Sequence, residues 1–213
     1  MEKEMSNPQQ DHRSSASSFL KNSLELLQTS LRDQGRREAR FVSLATLVGG
    51  EGSERHPAVR TVVMRQWESS PPLWRFHTDR RAAKAGEFAQ NERVSAVFWD
   101  TVNQLQIRLD GIAGECGDAA CIAETWHSLG DRAQQSFSRL EAPGEALDRP
   151  DALSFEKPSA SESLTKGQLV SSNFMLVEVR VTSIDCLSLA DDPHHRVKGE
   201  WVGGQWISKW VGP

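Results

Sequence analysis

A chain of 213 residues, 38% hydrophobic and with seven Trp, is the size of one domain with a sizeable core. Its net charge of -4 supplies no general basic field, which argues against double-stranded nucleic acid as a partner, and no apolar run nears the roughly 18 residues of a membrane span. The cysteines Cys116, Cys121 and Cys186 are scattered and odd in number, without the spacing of a metal site or of a secreted disulfide framework, and the start MEKEMSNPQQDHRSS lacks the apolar centre of a signal peptide. A soluble protein of the reducing cytoplasm, bound to neither membrane nor metal, is the expectation.

In chain order, residues 1–15 are polar and aperiodic and read as a disordered lead to a single domain over 16–213. Leu20, Leu24, Leu27 and Leu31 then recur at helical spacing, with Ser residues available as caps, so an amphipathic helix closes near Gly35. ARFVSLATLV, around Arg40 to Val48, reads as a first strand, and GGEGSERHP as a hairpin loop that includes His56. From Pro57 to Gly111 the runs PAVRTVVMR, LWRFHTD, VSAVFWD and QLQIRLDG are rich in Val, Trp and Phe and too short for helices, so they fit strands. In the last of these, Leu105, Ile107 and Leu109 face one way and Gln106, Arg108 and Asp110 the other. Asp118 to His127 is helical with Ile122 and Trp126 on one stripe, and a second helix is expected over Arg132 to Leu140. Residues 142–167, rich in Pro and Ser, read as a long loop or lid. FMLVEVRVTSIDCLSL restores strand alternation, and HHRVKGEW and QWISKWVGP complete the sheet.

Chemistry concentrates in the Pro57–Gly111 stretch. Arg60 and Arg65 bracket TVVM, Thr78 and Asp79 stand where a strand hands over to a helix, and Lys84 falls in that helix's first turns. A helix start offers unpaired backbone N–H groups and a partial positive charge, so a phosphate is well placed there with Arg60 and Lys84 as counter-charges. Gln106 then offers an amide to a flat heterocycle beside it. Arg60 and Arg65 are an odd number of positions apart, so both serve one ligand only if the strand bulges or ends between them.

In this order, RTVVMR, FHTDRRAAK and QLQIRLDG resemble the FMN-binding core of the pyridoxamine 5'-phosphate oxidase-like split barrels. The resemblance implies a mainly β (α+β) fold, a six- to seven-stranded antiparallel split β-barrel with flanking helices. It implies FMN as cofactor, held by Arg60, Thr61, Val62, Val63, Arg65, His77, Thr78, Ala83, Lys84 and Gln106, and a homodimer with FMN at the interface, where Gln134 or its neighbours approach the partner's flavin. Ala82 stands where the family has a Ser, so one hydroxyl contact to phosphate is expected to be missing.

Carried further, the resemblance locates a substrate site and shows it altered. Arg65 keeps the charge of a family Lys, and Arg196 survives from a C-terminal Arg-x-His pair whose His has become Lys198. The family's Tyr, Arg and Ser have no counterpart near Thr125, Leu129 and Ala133, and Glu200 and Ala190 replace a flavin-contacting Arg and a Trp. Two functions of different class follow: an FMN-dependent oxidoreductase acting on a different small, anionic substrate at Arg65, Arg196 and Lys198, or a non-catalytic flavin carrier. A true pyridoxamine 5'-phosphate oxidase is the third reading, disfavoured by the lost contacts.

Overall fold

The computed structural model describes residues 15–33, 35, 37–49, 55–155 and 169–213. The polar lead over residues 1–14, most of the loop after Gly49 and the 156–168 part of the long loop lie outside these. Helix α1 (Ala16–Arg32) starts where Ser15 accepts a hydrogen bond from the Ser18 N–H, and it buries Leu20, Leu24 and Leu27. A 3-10 turn over Arg37–Arg40 leads into β1 (Phe41–Val48), followed by β2 (His56–Val63), β3 (Gln66–Ser69) and β4 (Pro72–Asp79). Then come α2 (Ala83–Gln90), β5 (Arg93–Asp100), β6 (Leu105–Glu115), α3 (Ala119–His127) and α4 (Asp131–Gln135). The chain ends with β7 (Phe174–Ser188), β8 (His195–Val202) and β9 (Gln205–Trp210).

Among the described residues, nine strands join one antiparallel sheet in the order β2-β1-β5-β6-β7-β4-β3, with β8 on β7 and β9 on β8. The fold class is the expected one, but the strands outnumber the six or seven foreseen. Four-residue β3 shows why: it is too short to carry a period, and only its pairing with β4 across the Ser70–Pro71 turn makes it a strand. His56 lies not in the hairpin loop but at the start of β2, opposite Val48. The second helix is also shorter than its sequence suggests: α4 stops at Gln135 and continues as a 3-10 turn over Ser136–Ser138, which drops Phe137 into a buried cluster.

Alternation sorts the side chains as the sequence indicates. Leu105, Ile107 and Leu109 of β6 and Val177, Val179 and Val181 of β7 are buried in the barrel core with Trp74, Phe76 and Phe98. The β6–β7 register shifts at Asp110/Gly111, and a Cβ at Gly111 would collide with the Arg180 carbonyl, so glycine is required at the bend. A second cluster, of Cys116, Trp126, Phe137, Phe174 and Leu176, covers the outer face of β4 and β7 beneath α3 and α4.

Candidate functional site

Two polar groups and one outlying arginine carry the expected site residues, and the first group gathers at the start of α2. That helix begins at Ala82, whose side chain offers no capping hydrogen bond, so its first backbone N–H groups have no side-chain acceptor. Lys84, at the second helical position, is half-buried and donates from Nζ to Thr78 Oγ1 at 2.9 Å. Arg60 pairs with buried Leu44 across the β1–β2 ladder and therefore lies on the core side of β2, where its Nη2 meets Glu87 Oε2 at 2.6 Å and its Nη1 meets Thr46 Oγ1. Burial first, and the charge of Arg60 second, lower the Lys84 pKa. Donors, a helix start and two cations against Glu87 suit an anion the size of a phosphate. Asp79 does not cap this helix; it accepts from the backbone and guanidinium of Arg81, and α2 starts four residues after it.

The second group occupies the outer face of the sheet. Rows run across paired strands: Trp99, Gln106, Leu187 and Arg196 form one, and Thr61, Ser43, Val97, Arg108, Asp185 and Lys198 the next. Asp185 accepts from Nε and Nη2 of Arg196 at 2.9 and 2.8 Å, and Lys198 Nζ lies 3.9 Å from it. Arg196, with Lys198 and Arg108 adding their charge, holds the Asp185 carboxyl below the usual range. Asp110 and Glu200 fill the following row, with Asp110 bonded to Ser95 and Ser183, so the cationic end is the one nearest Gln106. Gln106 therefore does not touch the Lys84 group directly: it faces outward from β6, while Arg60 faces the core side of β2.

Arg65 belongs to neither group. Strand β2 ends at Val63 and β3 begins at Gln66, so the strand does end between Arg60 and Arg65, but the two arginines diverge. Arg65 senses Arg40, and both it and burial lower the His77 pKa, burial being the larger effect, to about 4. His77 lies on the outer face of β4 against Phe137 and Phe174, its Nε2 buried and without a hydrogen-bond partner among the described residues. Of the other expected positions, Val62 is core, Thr61 and Ala83 are exposed, and Val63 is half-buried. Gln134 spends its amide within its own chain, donating to the Trp126 carbonyl at 2.9 Å.

Thr46 and Glu87 belong to the first group yet carry no functional signal in the sequence. Thr46 sits in an unremarked strand and Glu87 in a short helix, and only the β1–α2 contact joins them to Arg60. Cys116 and Cys186 are poor nucleophiles: burial pushes Cys116 up to about 11 and Cys186 up to about 12. No described helix is long and apolar enough to cross a membrane.

Residues 21–115, from α1 to the end of β6, match the family described as pyridoxamine 5'-phosphate oxidase, FMN-binding domain. The chain is similar in structure to a pyridoxamine 5'-phosphate oxidase-related, FMN binding protein from Nostoc punctiforme PCC 73102, at 22% identity over 90% of this chain and 96% of that one, with a TM-score of 0.71. It is also similar to PhzG from Burkholderia lata 383, solved in complex with tetrahydrophenazine-1-carboxylic acid, at 18% identity over 99% and 98% of the two chains, with a TM-score of 0.66. No curated protein matches the sequence. At such identities the structural likeness speaks for the fold alone, that of the split barrels. The family match takes in Arg60, Thr78, Lys84 and Gln106 and stops before α3 and the C-terminal strands: over residues 21–115 the chain is similar to a pyridoxamine 5'-phosphate oxidase-type FMN-binding domain, and FMN is the cofactor of that family.

Proposed function

We propose that residues 16–213 form a single FMN-dependent oxidoreductase domain, cytoplasmic and homodimeric with FMN at the interface, that acts on a small anionic substrate other than pyridoxamine 5'-phosphate. The observation that carries the reading is the convergence of Arg60, Thr78 and Lys84 at the uncapped start of α2. Those residues fit a phosphate, and Arg60 and Thr61 are chain neighbours on opposite faces of β2, the terminal strand in the sheet order. An elongated ligand crossing that edge reaches the Lys84 group with one end and the Gln106 face with the other. Bound there, FMN supplies an acceptor for a hydride or for electrons.

The protein's own contribution is binding and orientation. Lys84, Arg60 and the first amides of α2 hold the phosphate, Thr61, Val63 and Gln106 line the ring's path, and Ala83 gives backbone approach. Arg196 and Lys198, with Arg108 beside them, draw an anion to the outer face next to Gln106. Arg65 keeps its charge apart from these cations, beside Arg40 and the neutral His77. PhzG was solved with a ring carboxylate, and a carboxylate is an anion that these cations suit without a full phosphate cradle.

Purified protein with FMN, examined anaerobically with a panel of ring carboxylates, amines, NADH and NADPH, tests the reading. Bleaching of the flavin band by at least one carboxylate supports it, with a dimer expected in sedimentation. Absence of any flavin binding at micromolar FMN refutes it. Flavin that binds but resists every reductant favours the carrier reading, which the apolar Leu129 and Ala133 positions already favour.

A further inference from the structure

We propose that Glu87 is a positioning residue that aims Arg60 at the cofactor phosphate, working together with Thr46. This rests on the reading of Arg60 and Lys84 as the phosphate site. A carboxylate beside an anion site is at first sight misplaced, because its charge repels the ligand. Glu87 is 9% exposed and Thr46 3%, so neither is a chance surface neighbour. The Glu87 Oε2 oxygen accepts from Arg60 Nη2 at 2.6 Å and from the Thr46 hydroxyl, and that hydroxyl oxygen in turn accepts from Arg60 Nη1. The three side chains close a ring on one edge of the guanidinium.

A guanidinium carries five N–H donors in a fixed plane. Two are committed to Thr46 and Glu87, which leaves three, including Nε–H, pointing away from the ring. The commitment fixes the rotamer of a long side chain before the ligand arrives, so less conformational entropy is lost on binding. A buried Arg–Glu pair contributes little to stability compared with apolar residues of the same volume, so stability is a weak reason for this one to exist. Thr46, Arg60 and Glu87 come from β1, β2 and α2, and the ring ties the middle of the helix to the sheet one turn beyond Lys84.

The opposite role is distinguishable. If Glu87 were a stand-in anion displaced by the phosphate, its removal would tighten FMN binding. The deciding measurement is the dissociation constant for FMN and for riboflavin, which lacks the phosphate, by flavin fluorescence in the wild type and in E87A, E87Q, T46V and K84A. E87A is expected to weaken FMN by about 10-fold or more while riboflavin is unchanged, the scale on which outer-shell partners tune a site. Because Gln keeps a carbonyl oxygen for both donors, E87Q should stay within about 3-fold of wild type, and T46V, which loses the hydroxyl at constant shape, should weaken FMN by about 3-fold. FMN binding that is unchanged or tighter in E87A, or FMN and riboflavin weakened equally, would overturn the proposal. Should E87A fail to fold, T46V decides in the same way: no loss of FMN preference there overturns it. K84A separates the two levels. If it weakens FMN while E87A and T46V do not, only the role of Glu87 fails; if K84A is also silent, the phosphate site itself has been misplaced.

Discussion

Strand β4 divides two regions that look alike in topology and differ in chemistry. On its core-facing side, Thr78 meets Lys84 and the start of α2, a region of donors and half-buried cations. On its outer side, one residue earlier, His77 meets the aromatic cluster under α3 and α4, where Trp126 and Phe137 lie 5.3 and 5.2 Å from Phe174, ring to ring, and Leu129 packs against them. Both regions lie along the same strand, but the first sets half-buried cations at a helix start whereas the second is filled with packed rings. The contrast is the physical content of the functional proposal, in which the first region grips the cofactor's phosphate and packing in the second stands where a grip for a substrate phosphate would be.

Pyridoxine 5'-phosphate offers the largest test of that contrast. A buried phosphate loses roughly 1 to 3 kcal/mol for each hydrogen-bond partner left unmade, and three are missing at Thr125, Leu129 and Ala133, so turnover should fall by several orders of magnitude. FMN-loaded protein incubated with this substrate and oxygen is expected to form no measurable pyridoxal phosphate. Turnover of about 1 per second would show that the α3–α4 region grips phosphate after all. Next in size is the cofactor side. Lys84→Ala should weaken FMN by about 1.5 to 3 kcal/mol, the range for losing a charge-assisted bond to phosphate, and leave riboflavin untouched. Equal affinities for wild type and variant would make Lys84 merely a solvated surface charge.

Much of this division is legible in the sequence because alternation and charge are local properties. The Leu105–Ile107–Leu109 stripe gives the faces of β6, the leucines of α1 give its buried side, and Arg60, Thr78 and Lys84 announce an anion site by type and order. What stays hidden depends on which strands become neighbours. Gln106 and Arg60 read as parts of one site, yet the register puts them on opposite faces, joined only at the edge of β2. Glu87 reads as an ordinary helical residue in AKAGEFAQ and acquires meaning only opposite Thr46. Strand β3 and the early end of α4 escape for a different reason: each is a short segment fixed by what it packs on, β4 in one case and the Phe137 pocket in the other.

His77 lets acid probe the apolar side. Its pKa is about 4 when folded against an ordinary 6.5, with burial the main cause and the charge of Arg65 the second. The unfolded chain therefore binds more protons between these values, and stability falls as pH drops from 6.5 to 4. Two and a half units correspond to about 3 kcal/mol at most, and partial exposure reduces this to about 2. Denaturant titrations across that window should show His77→Phe, which keeps an aromatic ring against Phe137 and Phe174, losing less stability in acid than the wild type. Parallel pH curves for the two proteins would mean that His77 is more hydrated than its surroundings imply.

Ala82 gives the smallest and most local test, because it stands at the boundary of the phosphate region. It is buried and occupies the N-cap of α2 without a capping bond, so a hydroxyl there has two possible acceptors or donors to meet: the helix amides and the phosphate. Ala82→Ser adds one oxygen, and an Ala-to-Ser change at an N-cap is worth about 1 kcal/mol in helix stability. A hydroxyl free to donate to phosphate adds a further bond of about 1 kcal/mol, or roughly 5-fold in FMN affinity. The two uses compete for the same atom's geometry, so they can be read apart by melting the protein with and without FMN. A higher melting temperature in both conditions by the same amount places the hydroxyl in the helix cap. A rise seen only with FMN, together with the tighter binding, places it on the phosphate. No change in either would mean that the start of α2 lacks room for one more oxygen, and that the cationic side chains hold the phosphate at a distance from the helix amides.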